Sequence, residues 1–232
     1  MNRRFSAGLI ALTVTAALLL TASVGFSASP RPSSSRHLTG TLVLSAGSAH
    51  RSGGKLVYSG TYFRMVIPGS LDEYLSNPSS KAPSKTYTFL SPGKAHGLEL
   101  GQYQRPPTRA FSGGNALASS IVKPQSFESI KFSISTAPNS AQGGEATPAP
   151  SLTLNGTKLT GNLSAWTAEW NRQYFNQGAP KPGGSYPGLT EPVIGRYNSK
   201  THAFWITWYS EIVGGPFSGF TGFWHLAGHI DS

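Results

Sequence analysis

Residues 204–230, FWITWYSEIVGGPFSGFTGFWHLAGHI, decide the fold. Phe204, Ile206, Trp208 and Ile212 fall on one side of an extended chain, because successive side chains of a β-strand point to opposite faces. Gly214–Ser218 (GGPFS) turns the chain, and Phe220, Trp224, Leu226 and Ile230 return on a matching face. Pairing Val213 with Gly219 sets Trp208 opposite Trp224, an aromatic cross-strand pair of the kind that stabilises sheets. The other face of the same hairpin then carries Trp205, Tyr209, Phe223 and His225.

Outward from this hairpin the same period recurs. Leu38, Gly40, Leu42, Leu44 and Ala46 share a face, and Gly53-Gly54 turns the chain into the aromatic and β-branched run Leu56–Ile67. Thr86–Leu90 and Leu98–Tyr103 are shorter strands separated by Pro92-Gly93. Ile130, Phe132 and Ile134 alternate with Lys131, Ser133 and Ser135, which predicts a strand with one wet face. Asn155-Gly156 predicts a tight hairpin pairing Leu154 with Thr157 and Leu152 with Leu159. Ser164–Asn176 reads as one strand with Trp166, Trp170 and Tyr174 on its even face, a helix capped by Ser164 being the alternative. Arg105–Gln125, Asn139–Pro150 and Gly178–Pro192 are irregular loops. The expected architecture is all-β: a single domain, 38–232, of eight to eleven strands in an antiparallel β-sandwich or closed β-barrel.

Residues 1–27 have the pattern of a signal peptide. Arg3 and Arg4 precede an uncharged stretch from Phe5 to Pro30 with an apolar core at Leu9–Leu20, and small residues at Gly25 and Ser27 suit cleavage. The core is short for a membrane span of roughly 20 residues, so a stable transmembrane segment is not expected once the signal is removed. Residues 28–37 form a Pro/Ser linker read as disordered. The expected location is extracellular. With no cysteine anywhere, a lipid anchor, disulfides, thiol nucleophiles and Cys-ligated metals are excluded.

The formal charge is +10, from 19 basic and 9 acidic residues, and loss of Arg3 and Arg4 leaves +8. Bases are scattered rather than gathered into the patch that a nucleic-acid binder uses, so nucleic acid is not an expected partner. An anionic cell-surface polymer or a carbohydrate suits a diffusely basic exported chain better.

Three segments, Ser59–Met65 (SGTYFRM), Trp166–Gly178 (WTAEWNRQYFNQG) and Gly214–Gly228 (GGPFSGFTGFWHLAG), resemble a family of exported bacterial all-β proteins of uncharacterised function. The likeness lies in the paired tryptophans followed by Asn and in the aromatic, Gly-rich terminal hairpin. It implies no activity, cofactor or catalytic residue.

Searches for chemistry narrow the choice. His225 and His229 would meet on a helix, but on a strand they stand about 13 Å apart at ~3.3 Å per residue, too far for one zinc. No metal or other cofactor is expected. There is no G-x-S-x-G elbow and no phosphate-binding glycine loop. Glu169 and Glu211 are the only acids set among aromatic residues. As a pair they would suit a glycan hydrolase if one cleft held both within about 10 Å; otherwise both face water. No catalytic residue is assigned. The aromatic excess remains: five Trp, nine Tyr and twelve Phe. Trp205, Tyr209, Phe223 and His225 would form a strip fit for sugar rings or acyl chains, unless loops such as Gly178–Pro192 cover it, the arrangement expected. The leading expectation is a non-enzymatic extracellular binding domain for carbohydrate or cell-envelope components. A β-barrel carrier of a small apolar ligand, lined by Tyr58, Tyr62, Trp166 and Trp170, is the alternative.

Overall fold

The computed structural model describes residues 34–138, 146–183 and 188–231. The signal segment 1–27 and the first part of the linker lie outside the described residues. Among those described there is no helix. The chain begins with β1 (Arg36–His37), β2 (Thr41–Leu44), β3 (Ser48–Ser52), β4 (Lys55–Ser59), β5 (Tyr62–Val66) and β6 (Thr88–Phe89). It continues with β7 (Gly97–Glu99), β8 (Phe111–Ser112), β9 (Asn115–Ala116), β10 (Gln125–Phe127) and β11 (Ile130–Thr136). Two adjoining hairpins follow, β12 (Ser151–Asn155) with β13 (Lys158–Asn162) and β14 (Trp166–Trp170) with β15 (Gln173–Asn176). The last strands are β16 (Glu191–Tyr197), β17 (Ala203–Glu211) and β18 (Thr221–Asp231).

Most of these strands join one curled antiparallel sheet, a half-barrel, in the order β1-β12-β13-β16-β17-β18-β2-β7. The eleven-residue β18 branches it. Its first half pairs with β5 and its second half with β2, while β17 runs along its other edge. A smaller sheet, β10-β11-β14-β15, and the hairpins β3–β4 and β8–β9 complete the list. The described residues form eighteen strands against the eight to eleven expected, six of them only two or three residues long.

The β17–β18 register is the one its aromatic pairing predicts, with Trp208 opposite Trp224. Three other expectations are corrected. The 152–159 hairpin pairs Leu154 with Leu159 rather than Thr157, because its two-residue loop is Gly156-Thr157. Gly156 alone has positive φ, at 61°, the pattern of a II′ turn, which requires glycine first. Ser164–Asn176 is neither one strand nor a helix but a hairpin. Asn171 and Arg172 both adopt positive φ, as a type I′ turn demands, so Tyr174 lands opposite Glu169, on the face away from Trp166 and Trp170. The supposed wet face of β11 is wet only at Lys131; Ser133 and Ser135 are both buried. The loop that includes Ala118 lies over it and accepts the Ser133 hydroxyl at the Ala118 carbonyl. The end of the linker is also ordered, Arg36 and His37 pairing with Leu154 and Thr153.

The core fills the space between the two sheets. Trp166 of the small sheet meets Trp208 and Trp224 of the large one edge-on, with ring centres 5.4 and 5.5 Å apart. Burying each large apolar side chain contributes roughly 1.5–3 kcal/mol, and such ring pairs add about 0.5–1.5 kcal/mol. Buried indole N–H groups need acceptors. Trp208 Nε1 donates to the Gln177 carbonyl at 2.8 Å, Trp224 Nε1 to Gln177 Oε1 at 3.2 Å and Trp170 Nε1 to the Phe127 carbonyl at 3.0 Å. Gly222 makes this possible: a Cβ there would stand 2.0 Å from Gln177 Oε1.

Candidate functional site

Since even-numbered residues of β17 and β18 face the core, odd-numbered ones face outward. Trp205, Tyr209, Phe223 and His225 therefore share one surface, and the structure brings them into contact. Tyr209 and Phe223 are directly opposite each other with ring centres 4.8 Å apart. Trp205 stacks on His225 at 6.4 Å and 9°. Trp205 is the most open, at 40% exposure, and the other three are half-buried.

The strip is wider than the hairpin alone implies. β5 lies beside β18, so Tyr62 sits opposite His225 and Arg64 opposite Phe223. Tyr62 stacks on His225 at 4.6 Å and 6°, and touches Phe223 at 6.2 Å. It thus joins the two predicted pairs into one surface. Tyr87 packs edge-on against Tyr62 at 5.1 Å and stacks on Tyr58 at 3.7 Å. The Arg64 guanidinium lies over the Tyr74 and Tyr87 rings. Alternation within Ser59–Met65 is the signal that could have found Tyr62 and Arg64, since Phe63 and Met65 point inward. Tyr74 comes from a loop, where no local period applies, and Tyr87 immediately precedes β6, which is shorter than the Thr86–Leu90 strand expected.

Of the loop expected to cover this face, residues 184–187 lie outside the described residues, and residues 188–190 lie over the Glu211 end. Leu189 N–H donates to Thr221 Oγ1 and Glu211 N–H to Thr190 Oγ1. Beside Tyr209 there is a groove of about 390 Å³ lined by Leu71, Asp72, Glu191, Ile194 and Thr207 among others. That is the size of a small-ligand site. Leu71 and Ile194 on its walls are exposed.

The electrostatics follow from partial burial. Desolvation pushes the Tyr62 and Tyr209 phenols up to about 12, with Tyr87 raising Tyr62 and Tyr74 raising Tyr209 further. Both are neutral hydrogen-bonding groups across the physiological range. Burial holds His225 below its ordinary value against the opposing effect of its Nδ1–H···O=C bond to Gly60, 2.9 Å long. A neutral imidazole, flanked by an indole and a phenol, continues the stack.

The other candidate residues do not assemble into sites. Glu169 and Glu211 do not face water as expected: they are 0% and 3% exposed. Each lies three residues beyond a core tryptophan, Trp166 and Trp208, and so leaves its strand by the opposite face. Both carboxylates are buried rather than set in an open cleft, Glu169 against Ser135 and Glu211 near Lys181. Glu169 takes the Ser135 hydroxyl at Oε1, and its Oε2 is buried without a partner. Desolvation lifts it to about 8 against the opposing Ser135 bond. Glu211 lies near Lys181, whose ammonium donates to the Glu211 and Asn176 carbonyls. Burial lowers that lysine to about 8, the Glu211 charge opposing the shift.

The four residues expected to line a carrier interior also divide. Trp166 and Trp170 are in the core, whereas Tyr58 and Tyr62 belong to the outer aromatic surface. The interior keeps a small apolar cavity of about 50 Å³ among Phe63, Phe132, Trp170, Phe217 and Trp224. His225 and His229 are on the extended β18, the first against Gly60 and the second exposed. Among the described residues no three His, Asp or Glu side chains gather as metal ligands.

Compared with known protein families, curated proteins and solved structures, the chain matches none.

Proposed function

We propose that this chain is a secreted, non-enzymatic binding domain that holds a carbohydrate or another cell-envelope component on the outer aromatic face of its large sheet. The observation that carries the reading is the continuous stack Trp205–His225–Tyr62, with Phe223 and Tyr209 alongside and the groove at Tyr209. Flat rings lying in a row suit the apolar faces of sugar rings. The Asp72 and Glu191 carboxylates on the groove wall are acceptors for hydroxyl groups. An exposed aromatic patch on a protein surface marks a binding site more often than it serves stability.

Secretion rests on the basic and apolar N-terminal segment followed by small residues. We read the two facing sheets as a sandwich rather than a closed barrel, since β1 and β7 are the two ends of the large sheet's order and do not pair with each other. The apolar-carrier reading has less behind it, because tryptophans fill the interior and the remaining cavity is too small for a lipid chain.

The test is a screen of the mature chain against cell-wall glycans and envelope lipids, repeated with Trp205→Ala. A glycan bound by the native chain and about tenfold or more weaker for the variant supports the reading. Unchanged affinity in the variant removes it.

A further inference from the structure

We infer that the outer aromatic face reads a negative charge as well as a ring, through Arg64, so that its ligand is an anionic glycan bearing a carboxylate or phosphate on its repeat. The inference rests on the carbohydrate reading above and narrows it. Arg64 leaves β5 on the same face as Tyr62, opposite Phe223. Its guanidinium carbon lies over two phenol rings, 3.2 Å from the centre of Tyr74 and 4.2 Å from that of Tyr87. The hydrogen-bonding capacity of the group is almost unused. One terminal nitrogen reaches Thr86 Oγ1 at a long 3.5 Å, and Nε is buried with no partner. No carboxylate of the described residues forms an ion pair with it.

A guanidinium has five N–H donors in its plane. With Nε buried, the two terminal nitrogens are the groups left to make paired hydrogen bonds to carboxylate or phosphate. Taking a cation out of water without a counter-charge is unfavourable, and ring contacts offset only part of that. An arriving anion supplies the missing charge, and the sugar that bears it comes to lie over the neighbouring rings of Tyr62 and His225.

Polarity along the face fixes the direction. One lateral row runs Glu191, Tyr209, Phe223, Arg64 across four neighbouring strands. Three strand spacings, roughly 14 Å in all, separate the acid at one end from the base at the other. The anion belongs at the Arg64 end, and the hydroxyl-accepting groove lies at the Glu191 end. The excess of bases over acids in the chain attracts the same kind of ligand from a distance.

The test measures binding of the mature chain to three oligosaccharides of matched length: oligogalacturonate for carboxylate, a 6-phosphorylated cello-oligosaccharide for phosphate and a neutral cello-oligosaccharide. The native chain should prefer one of the charged oligomers over the neutral one about tenfold or more, and which one identifies the anion. Arg64→Gln should reduce that preference to about twofold or less while retaining neutral binding. Arg196→Gln, which removes an exposed base beside Trp205, controls for diffuse charge and should leave the preference within twofold. No preference in the native chain, its survival in Arg64→Gln, or equal losses in both variants would overturn the inference while the carbohydrate reading stands. Binding of none of the three, or indifference to Trp205→Ala, removes that reading and the inference with it. If Arg64→Gln does not fold, Arg64→Lys decides: it keeps the charge without the planar fork, so a drop of about threefold or more supports the inference and no change refutes it.

Discussion

On the outer face of the large sheet, Trp205, Tyr209, Phe223, His225 and Tyr62 stand open or half-open to water. On the outer face of the small sheet, Ser133, Ser135, Thr167 and Glu169 are shut away almost completely. The aromatic strip is partly wet, whereas the hydroxyl and carboxyl groups at the middle of the small sheet are dry, its exposed residues being Lys131 and Tyr174 toward the ends. What differs is the covering. Over the small sheet the chain around Ala118 lies close enough to take the Ser133 hydroxyl, and Tyr174 packs against Phe111 at 5.3 Å. Over the large sheet, residues 188–190 reach the Glu211 end and Leu71, Asp72, Tyr74 and Tyr87 border the aromatic strip, while Trp205 stays exposed. Side-chain polarity thus does not decide which face of a strand meets water; the path of a distant loop does. A polar face can be sealed when its hydroxyls find partners inside.

The contrast can be tested, first across a single strand. Trp208→Ala should destabilise the fold by about 3–5 kcal/mol, because it removes a buried ring and leaves a cavity. Trp205→Ala, three residues away on the open face, should cost under about 1 kcal/mol. Urea unfolding of both variants measures the difference, and equal losses would mean that the open face is in fact packed.

The sealed face should announce itself through pH. In the folded chain Glu169 binds its proton up to about pH 8, whereas an ordinary glutamate releases it near 4.5. Between those values the native state holds a proton that the unfolded state has lost, so stability falls as pH rises from about 4.5 to about 8 and then levels off. The contribution is on the order of a few kcal/mol. Glu169→Gln should flatten it, and the difference between native chain and variant at pH 5 and pH 8 isolates the effect. A variant with an unchanged slope would place Glu169 in water.

The smallest effect sharpens the open face. His225, partly desolvated between Trp205 and Tyr62, should titrate in NMR below the usual histidine midpoint of about 6.5. A midpoint at or above that value would mean that the imidazole is not in the stack.

Much of the hairpin was legible because its information is local. Alternation from Phe204 to Ile230 specifies two strands, and matching Trp208 with Trp224 specifies their register, so the four strip residues necessarily share a face. Turns were less legible. Asn155-Gly156 carries a strong local signal, yet the loop moved one residue along to Gly156-Thr157, since the pairing of β13 with β16 also fixes that strand. Asn171-Arg172 carries almost no signal, and its I′ geometry follows from Trp166 and Trp170 being held inward while Phe175 returns beside Ala168.

By itself the sequence determined the strand class, the absence of thiol chemistry and which aromatic side chains of the terminal hairpin lie together, for all of these depend on residue type and on neighbours two positions apart. Only the tertiary structure decided that β5 completes the aromatic face with Tyr62 and Arg64, that Glu169 and Glu211 are buried, and that Ser133 and Ser135 are dry. Those outcomes depend on contacts between residues far apart in the chain, Tyr62 with His225 and Ser133 with Ala118 among them, and a two-residue period holds no record of which distant segment will arrive.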